Sequence, residues 1–359
     1  MTLRAPWTVA FALGSSLTLH GEWNPKKAAA FLDARQQAWV TWPRANQSGV
    51  PCVSCHTGMP YLLARPALRR TLGEKVPTLY EDVLLDGLRA TVMRTDAADL
   101  FKGLKGPIVD QVYGAQVVLA AVMLANDDAP RGRLSPEGEK ALERMWSAQV
   151  QSGSLKGAWQ WSDFDLDPWE TKEAAFYGAA LGALATGVAP AGYQARPELQ
   201  AQISDLKSFL RGAQSGQPLH NRLFLLWAAA NLRELMTDAE RGAMVEEVKR
   251  KQEPDGGWTL TSLGGWKPRP DAPPAAGSNS YATGVVAYTL EQAGVMRSDP
   301  PLARALDWLQ AKQDAETGSW KAESMNHHHE AGSMAAQFMS DAATGFATLA
   351  LLGGDQKKR

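Results

Sequence analysis

From residue 25 onward the apolar positions recur at the three-to-four-residue spacing of helices, and the alternation that marks strands is scarce. Two kinds of helical segment take turns. One kind is apolar nearly all round, as a helix buried on every side must be. Five such segments, starting at His56, Val112, Phe176, Ala282 and Ala343, carry glycine at their third position: Gly58, Gly114, Gly178, Gly284 and Gly345. A sixth, starting at His220, lacks the glycine. The other kind is more polar and precedes each apolar one, over residues 25–42, 79–95, 135–150, 197–213, 237–252 and 299–313. Several of these starts carry cap chemistry: Ser135 before Pro136, Thr237 with Glu240 as a capping box, and Asp299 before Pro300. Self-similarity at this period marks a repeat architecture. Six pairs of outer and inner helices predict an all-α fold, a single (α/α)6 barrel over residues 25–359, with an open helical solenoid as the alternative. Closure is favoured because six inner helices suffice to surround a cavity. The glycines are expected to let neighbouring inner helices approach closely.

A second recurrence follows three outer helices. Gln149 with Gly157 and Trp159, Gln252 with Gly256, Gly257 and Trp258, and Gln313 with Gly318 and Trp320 read as glutamine, short turn, then glycine and tryptophan. The glutamine can bond exposed helix-end groups, the glycine permits the tight turn, and the indole packs back over it. These turns, and the inner segment from Tyr281 to Leu290, resemble the squalene–hopene cyclase and prenyltransferase repeat superfamily. The resemblance spans most of residues 25–353 and implies a terpenoid-cyclase-like toroid. It carries less weight for activity, since function lives in sites and not in folds. The cyclases of that superfamily use a D-x-D-D motif whose central aspartate protonates the substrate. Here Asp163, Asp165 and Asp167, followed by Glu170, read D-x-D-x-D, so the adjacent pair is missing. These four acids are the catalytic candidates, with a turn of solvated and capping acids before Pro168 as the plainer reading.

Charge narrows the possibilities. Lysine plus arginine (37) nearly balance aspartate plus glutamate (38), for a net charge of −1, so nothing suggests a nucleic-acid surface. At the N-terminus Arg4 precedes an apolar run over residues 5–19, of signal-peptide length and short for a membrane span. Residues 1–24 are therefore expected to be a signal peptide or an uncleaved anchor, with a buried N-terminal segment as the alternative. The protein is accordingly expected to be periplasmic or otherwise exported, with possible membrane association through this segment.

The chain has only two cysteines, Cys52 and Cys55, and His56 follows directly. This C-x-x-C-H spacing is that of covalent haem c attachment in c-type cytochromes, where two thioethers hold the porphyrin and the histidine is the proximal iron ligand. Alternatives are a redox dithiol, a disulfide, or half of a zinc site that the later histidines would have to complete. The repeat register puts His56 at the start of the first inner helix, and places Asp110, Glu173, Ser280 and Asp341 near the same mouth. In a closed ring the sixth hairpin adjoins the first, and its long connection carries Met325, His327, His328, His329 and Met334. Any of these is a candidate distal iron ligand, with His220 next in line. The predicted function is electron transfer or haem-dependent oxidation of a substrate in the cavity, served by a redox partner protein or a small-molecule substrate. The alternatives are acid-initiated isoprenoid cyclisation with a structural haem, and a non-enzymatic sensor or apolar-ligand-binding module.

Overall fold

The computed structural model describes residues 23–46, 52, 54–94, 105–190, 192–273 and 277–353. The expected signal segment lies almost wholly outside them. In chain order the helices are α1 (Pro25–Thr41), α2 (Gly58–Leu72), α3 (Leu79–Met93), α4 (Ile108–Asp128), α5 (Pro136–Ser147), α6 (Ala174–Val188), α7 (Gln200–Ala213), α8 (Leu219–Ala229), α9 (Asp238–Lys249), the short α10 (Leu260–Gly264), α11 (Ser280–Gln292), α12 (Pro300–Lys312) and α13 (Phe338–Leu352). Among the described residues there is no β-strand, only one bridge between Leu166 and Glu170.

The inner helices are α2, α4, α6, α8, α11 and α13. Each packs on the next, and α13 packs back on α2, so the ring closes. The fold is an (α/α)6 barrel. The inner helices are buried over most of their length, as their all-round apolar sequence requires. One of them, Ile108–Arg131, is also the one helix among the described residues long and apolar enough to cross a membrane, but most of it is buried in the barrel.

Two of the five glycines, Gly284 and Gly345, act as predicted and let neighbouring inner helices approach closely. A methyl on Gly284 would stand 2.8 Å from the Ala347 nitrogen of α13, and one on Gly345 would stand 2.5 Å from Pro60 Cβ of α2. Gly114 and Gly178 make room instead for the segment after α5, namely the Gln160 backbone and the Trp161 ring. Gly58 alone has ordinary space around it.

The glutamine–tryptophan turns fasten one hairpin to the next. Gln149, Gln252 and Gln313 each donate to the carbonyl of their own turn glycine, or the one beside it: Gly157, Gly256 and Gly318. Each donates also to the start of the following outer segment, at Gln202, Pro301 and Asn24. The last of these joins the sixth hairpin to the first. The indoles of Trp159, Trp258 and Trp320 are fully buried and donate back to Met145, Val248 and Leu309. Gly157, Gly256 and Gly318 all have positive φ, and a methyl on Gly318 would stand 2.4 Å from the Lys27 backbone. Capping holds at Ser135 and Thr237, and a capping box at Thr78 with Glu81 adds to them. Asp299 differs: it makes no side-chain cap bond and instead accepts from Lys249 of α9.

Candidate functional site: two cavities at one mouth

All six inner helices begin at the end where the chain returns from the outer layer, and two adjoining cavities open there. The first, of about 430 Å³, is mostly apolar, and its lining includes Cys52, Cys55 and His56. Trp39, Trp161, Trp169 and Phe338 supply its aromatic walls, and Glu170, His327 and His329 also face it. The second, of about 660 Å³, is polar and more open. Asp163, Asp165, Asp167, Glu173, Gln217, Trp266 and two lysines, Lys172 and Lys267, line it. Asp167 belongs to both walls.

The turn carrying the cysteines is shaped by Ser54, whose Oγ accepts from the Thr57 and Gly58 amides and caps the start of α2. Trp39 Nε1 donates to the Cys52 carbonyl at 2.8 Å and pins the turn to α1. Burial and the nearby Glu170 charge push both thiols up, Cys52 to about 11 against the pull of the Gln116 amide. Such thiols are not the ready thiolates of a redox dithiol. Cys52 nonetheless keeps solvent contact, and the two cysteines are not joined in a disulfide. The zinc alternative fails as well: among the described residues no group of three or more His, Cys, Asp and Glu is placed to hold a metal ion.

His56 stacks on Phe338 with ring centroids 3.7 Å apart and meets the edge of Trp39 at 5.1 Å. Burial, with a contribution from Arg35, pulls its pKa down to about 3, so the ring is neutral. Its Nδ1 lies 2.8 Å from Thr57 Oγ1, which donates to Asp341 Oδ2 at 2.7 Å, and Asp341 in turn accepts two bonds from Arg35. Asp341 was placed at this mouth by repeat register. The only sequence signal of the chain of bonds through Thr57 is that threonine follows the histidine at the first turn of α2.

Of the proposed distal ligands, only His327 and His329 reach the cavity. His327 Nδ1 sits 3.0 Å from Asp271 Oδ2, and burial together with its neighbouring histidines lowers the pKa of His329. His328, Met325 and Met334 are not in the lining, and Met325 is buried elsewhere, at 3% exposure. The loop turns these away because Asn326 exchanges two hydrogen bonds with the Asp167 backbone while the Met325 carbonyl accepts from Arg269. His220 is no candidate either. Its Nε2 is bonded to Tyr281 Oη at 2.8 Å and its Nδ1 to Asn221 at 3.0 Å, deep in the barrel.

The acidic turn divides its members. Asp163 and Asp165 are exposed, and Asp165 pairs with Arg269 at 3.0 Å. Asp167 is half-buried. Desolvation raises its pKa to about 6, opposed by Arg269 and reinforced by the Asp165 and Glu173 charges. Glu170 faces the apolar cavity, where burial alone raises it to about 7. Beneath the turn, Trp161 Nε1 donates to the Trp169 carbonyl and Trp169 Nε1 to Tyr281 Oη. Tyr281, His220 and Asn221 thus form a buried polar prop under both cavities.

Comparison with protein families matches none of them, and comparison with curated proteins likewise finds no match. Solved structures do match. A glycosyl hydrolase family 88 protein from Bacteroides vulgatus superposes with a TM-score of 0.56 at 11% identity, over 92% of this chain and 99% of its own. A polysaccharide lyase gives 0.53 at 14% identity, over 92% and 97%. An alpha-1,6-mannanase from Salegentibacter sp. HEL1_6 gives 0.52 at 10% identity, over 91% and 100%. These likenesses correct the functional expectation. The solved barrels that match nearly the whole chain carry glycosidase and lyase names, in place of the expected electron transfer, haem-dependent oxidation, isoprenoid cyclisation or ligand sensing. The description as an electron-transfer cytochrome is corrected with it. The absence of a His, Cys, Asp and Glu cluster among the described residues bears on a protein-held metal ion and not on a haem iron, which the porphyrin and one histidine would carry. At these identities the comparison establishes the fold, an (α/α)6 barrel.

Proposed function

We propose that the protein cleaves glycosidic bonds of a carbohydrate chain lying in the polar cleft. The observation that carries this is the cleft itself, where Asp163, Asp165, Asp167 and Glu173 share one open groove with Gln217 and the Trp266 ring. Glycoside hydrolysis uses two carboxyl groups, one protonated to serve the leaving oxygen and one ionised to act on the anomeric carbon or on water. Asp167 suits the first role, because burial holds its proton up to a pH of about 6. Asp163 or Glu173, in the same groove, supplies the second. The glycosidase and mannanase names of the structural neighbours support the substrate class. Full-length protein is assayed for release of reducing ends from a panel of neutral and uronic-acid glycans. Asp167→Asn should lower the rate by about 10²–10⁴-fold, the range for a lost general acid. The same rate in the variant, or no release from any glycan, overturns the reading.

A second proposal concerns the apolar cavity, and the observation behind it is that Cys52, Cys55 and His56 all line that one space. We propose that both cysteines hold haem c through thioethers and that His56 ligates its iron, with His327 or His329 available as a further ligand. The cavity is apolar and His56 is neutral, which fits the group. Bound there, haem would supply an imidazole-ligated iron beside the cleft. Thioether attachment outside the cytoplasm accords with an exported, periplasmic protein. Haem staining of denaturing gels should keep colour on the wild-type chain and lose it in the Cys52→Ala/Cys55→Ala variant. Stoichiometric zinc without haem overturns this second proposal.

A further inference from the structure

We infer that Thr57 and Asp341 are positioning residues that fix His56 as the Nδ1–H tautomer, leaving the Nε2 lone pair as the acceptor offered to the apolar cavity. The inference rests on the haem attachment proposed above only for what that lone pair would bind.

Hydrogen-bond direction decides the tautomer. Asp341 accepts both the Nε and an Nη of Arg35, at 2.6 and 3.1 Å, which holds it as a carboxylate although it is only 2% exposed. A carboxylate has no proton to give, so the 2.7 Å contact must be Thr57 Oγ1–H donating to Asp341 Oδ2. The hydroxyl proton is then spent. Thr57 Oγ1 can meet His56 Nδ1 at 2.8 Å only as an acceptor, and the imidazole proton therefore sits on Nδ1. Among the described residues Nε2 has no hydrogen bond, while the ring lines the cavity. The stacked Phe338 and the edge of Trp39 keep the ring from rotating to exchange its two nitrogens. A histidine ligand is commonly oriented by a carboxylate or carbonyl on its other nitrogen. Here the carboxylate acts through a threonine, across the seam where the last inner helix meets the first.

The test reads the tautomer directly. Full-length protein carrying ¹⁵N-histidine, made without haem maturation, is examined by long-range ¹H–¹⁵N correlation, with His56→Gln identifying the signal. Wild type should show protonated Nδ1 and unprotonated Nε2. Thr57→Ser, which keeps the hydroxyl, should preserve this pattern, and Thr57→Val should turn it into a mixture or reverse it. A protonated Nε2 in the wild type, or no change in Thr57→Val, overturns the inference. In protein matured with haem, an anion-backed imidazole donates more strongly to iron and favours the oxidised state. Thr57→Val should then raise the midpoint potential with haem still covalently attached, and Thr57→Ser should restore it. An unshifted potential in the stained variant counts against the relay. Absence of stain on the wild type sinks the attachment proposal instead, and the nitrogen spectra still decide the relay.

Discussion

Tyr281→Phe and Tyr177→Phe are the same chemical change at two fully buried tyrosines of the inner ring, on α11 and α6, and they should have different outcomes. Tyr281 Oη accepts Trp169 Nε1–H at 2.9 Å and donates to His220 Nε2 at 2.8 Å. Deleting it strands a donor and an acceptor, of which His220 is fully buried and Trp169 nearly so. Each stranded group costs about 1–3 kcal/mol. Relief from burying the phenol oxygen offsets part of this, so the net loss should be about 2–4 kcal/mol. No rotation repairs the damage, because His220 Nδ1 is already bonded to Asn221, whose amide donates to the Glu173 carbonyl and to Gln217. Tyr177 Oη, by contrast, is buried with no hydrogen-bond partner among the described residues. Its removal should be neutral or slightly stabilising, by up to about 1 kcal/mol. Urea denaturation at pH 7, followed by tryptophan fluorescence and far-ultraviolet dichroism together, yields both values. Because Trp169 closes the apolar cavity, the native emission should also change in Tyr281→Phe. Equal midpoint shifts in the two variants, or a Tyr281→Phe loss below about 0.5 kcal/mol, would refute the claim that this polar prop supports the mouth.

Other substitutions test the packing and the charges. Gly284→Ala should cost about 1–3 kcal/mol by overpacking against the α13 backbone, despite the better helix propensity of alanine. An unchanged urea midpoint would show that the two inner helices have slack. Gly318→Ala adds an unfavourable positive φ to a backbone clash with Lys27 and should cost about 2–5 kcal/mol, read in the same way. Glu170 binds its proton more tightly folded than unfolded, so it contributes stability that is present below about pH 4.5 and lost as pH rises through about 7. Glu170→Gln should remove that slope, worth at most about 3 kcal/mol across the window, and a pH-stability curve unchanged by the substitution contradicts it. Glycan cleavage, if Asp167 is its acid, should decline as pH rises through about 6, and a rate still climbing above pH 7 would reassign the acid.

The barrel was legible because its determinants are local and repeated. All-round apolarity recurs in all six inner segments, a glycine near the start in five and a glutamine–tryptophan turn in three hairpins, and closure follows once there are six. What the glutamines hold was half visible: the bond within the turn can be read from one repeat, whereas the bond to the next outer helix needs the ring. The glycines show the same limit. Gly58, in register with the others, meets no close neighbour, while Gly178 makes room for Trp161, an indole that no inner-helix pattern announces.

The site was legible only as an inventory. Counting ligands in the sixth connection finds five candidates, but which of them face a cavity depends on Asn326 gripping the Asp167 backbone 159 residues away. That same grip separates the acids that looked equivalent in a D-x-D-x-D string, sinking Asp167 between two cavities while Asp163 and Asp165 stay in water. The bond from Thr57 to Asp341 joins residues 284 apart, and nothing near either one signals the other. Function was least legible of all, because the two strongest signals address different spaces. The C-x-x-C-H turn describes an apolar pocket, and the repeat describes a scaffold whose solved examples carry glycosidase and lyase names. A reading that forces both into one reaction must put haem and substrate in the same cavity. The geometry removes that necessity: the polar cleft and the apolar cavity are separate spaces that share a wall at Asp167, so an acid and a tethered group can sit side by side with neither displacing the other.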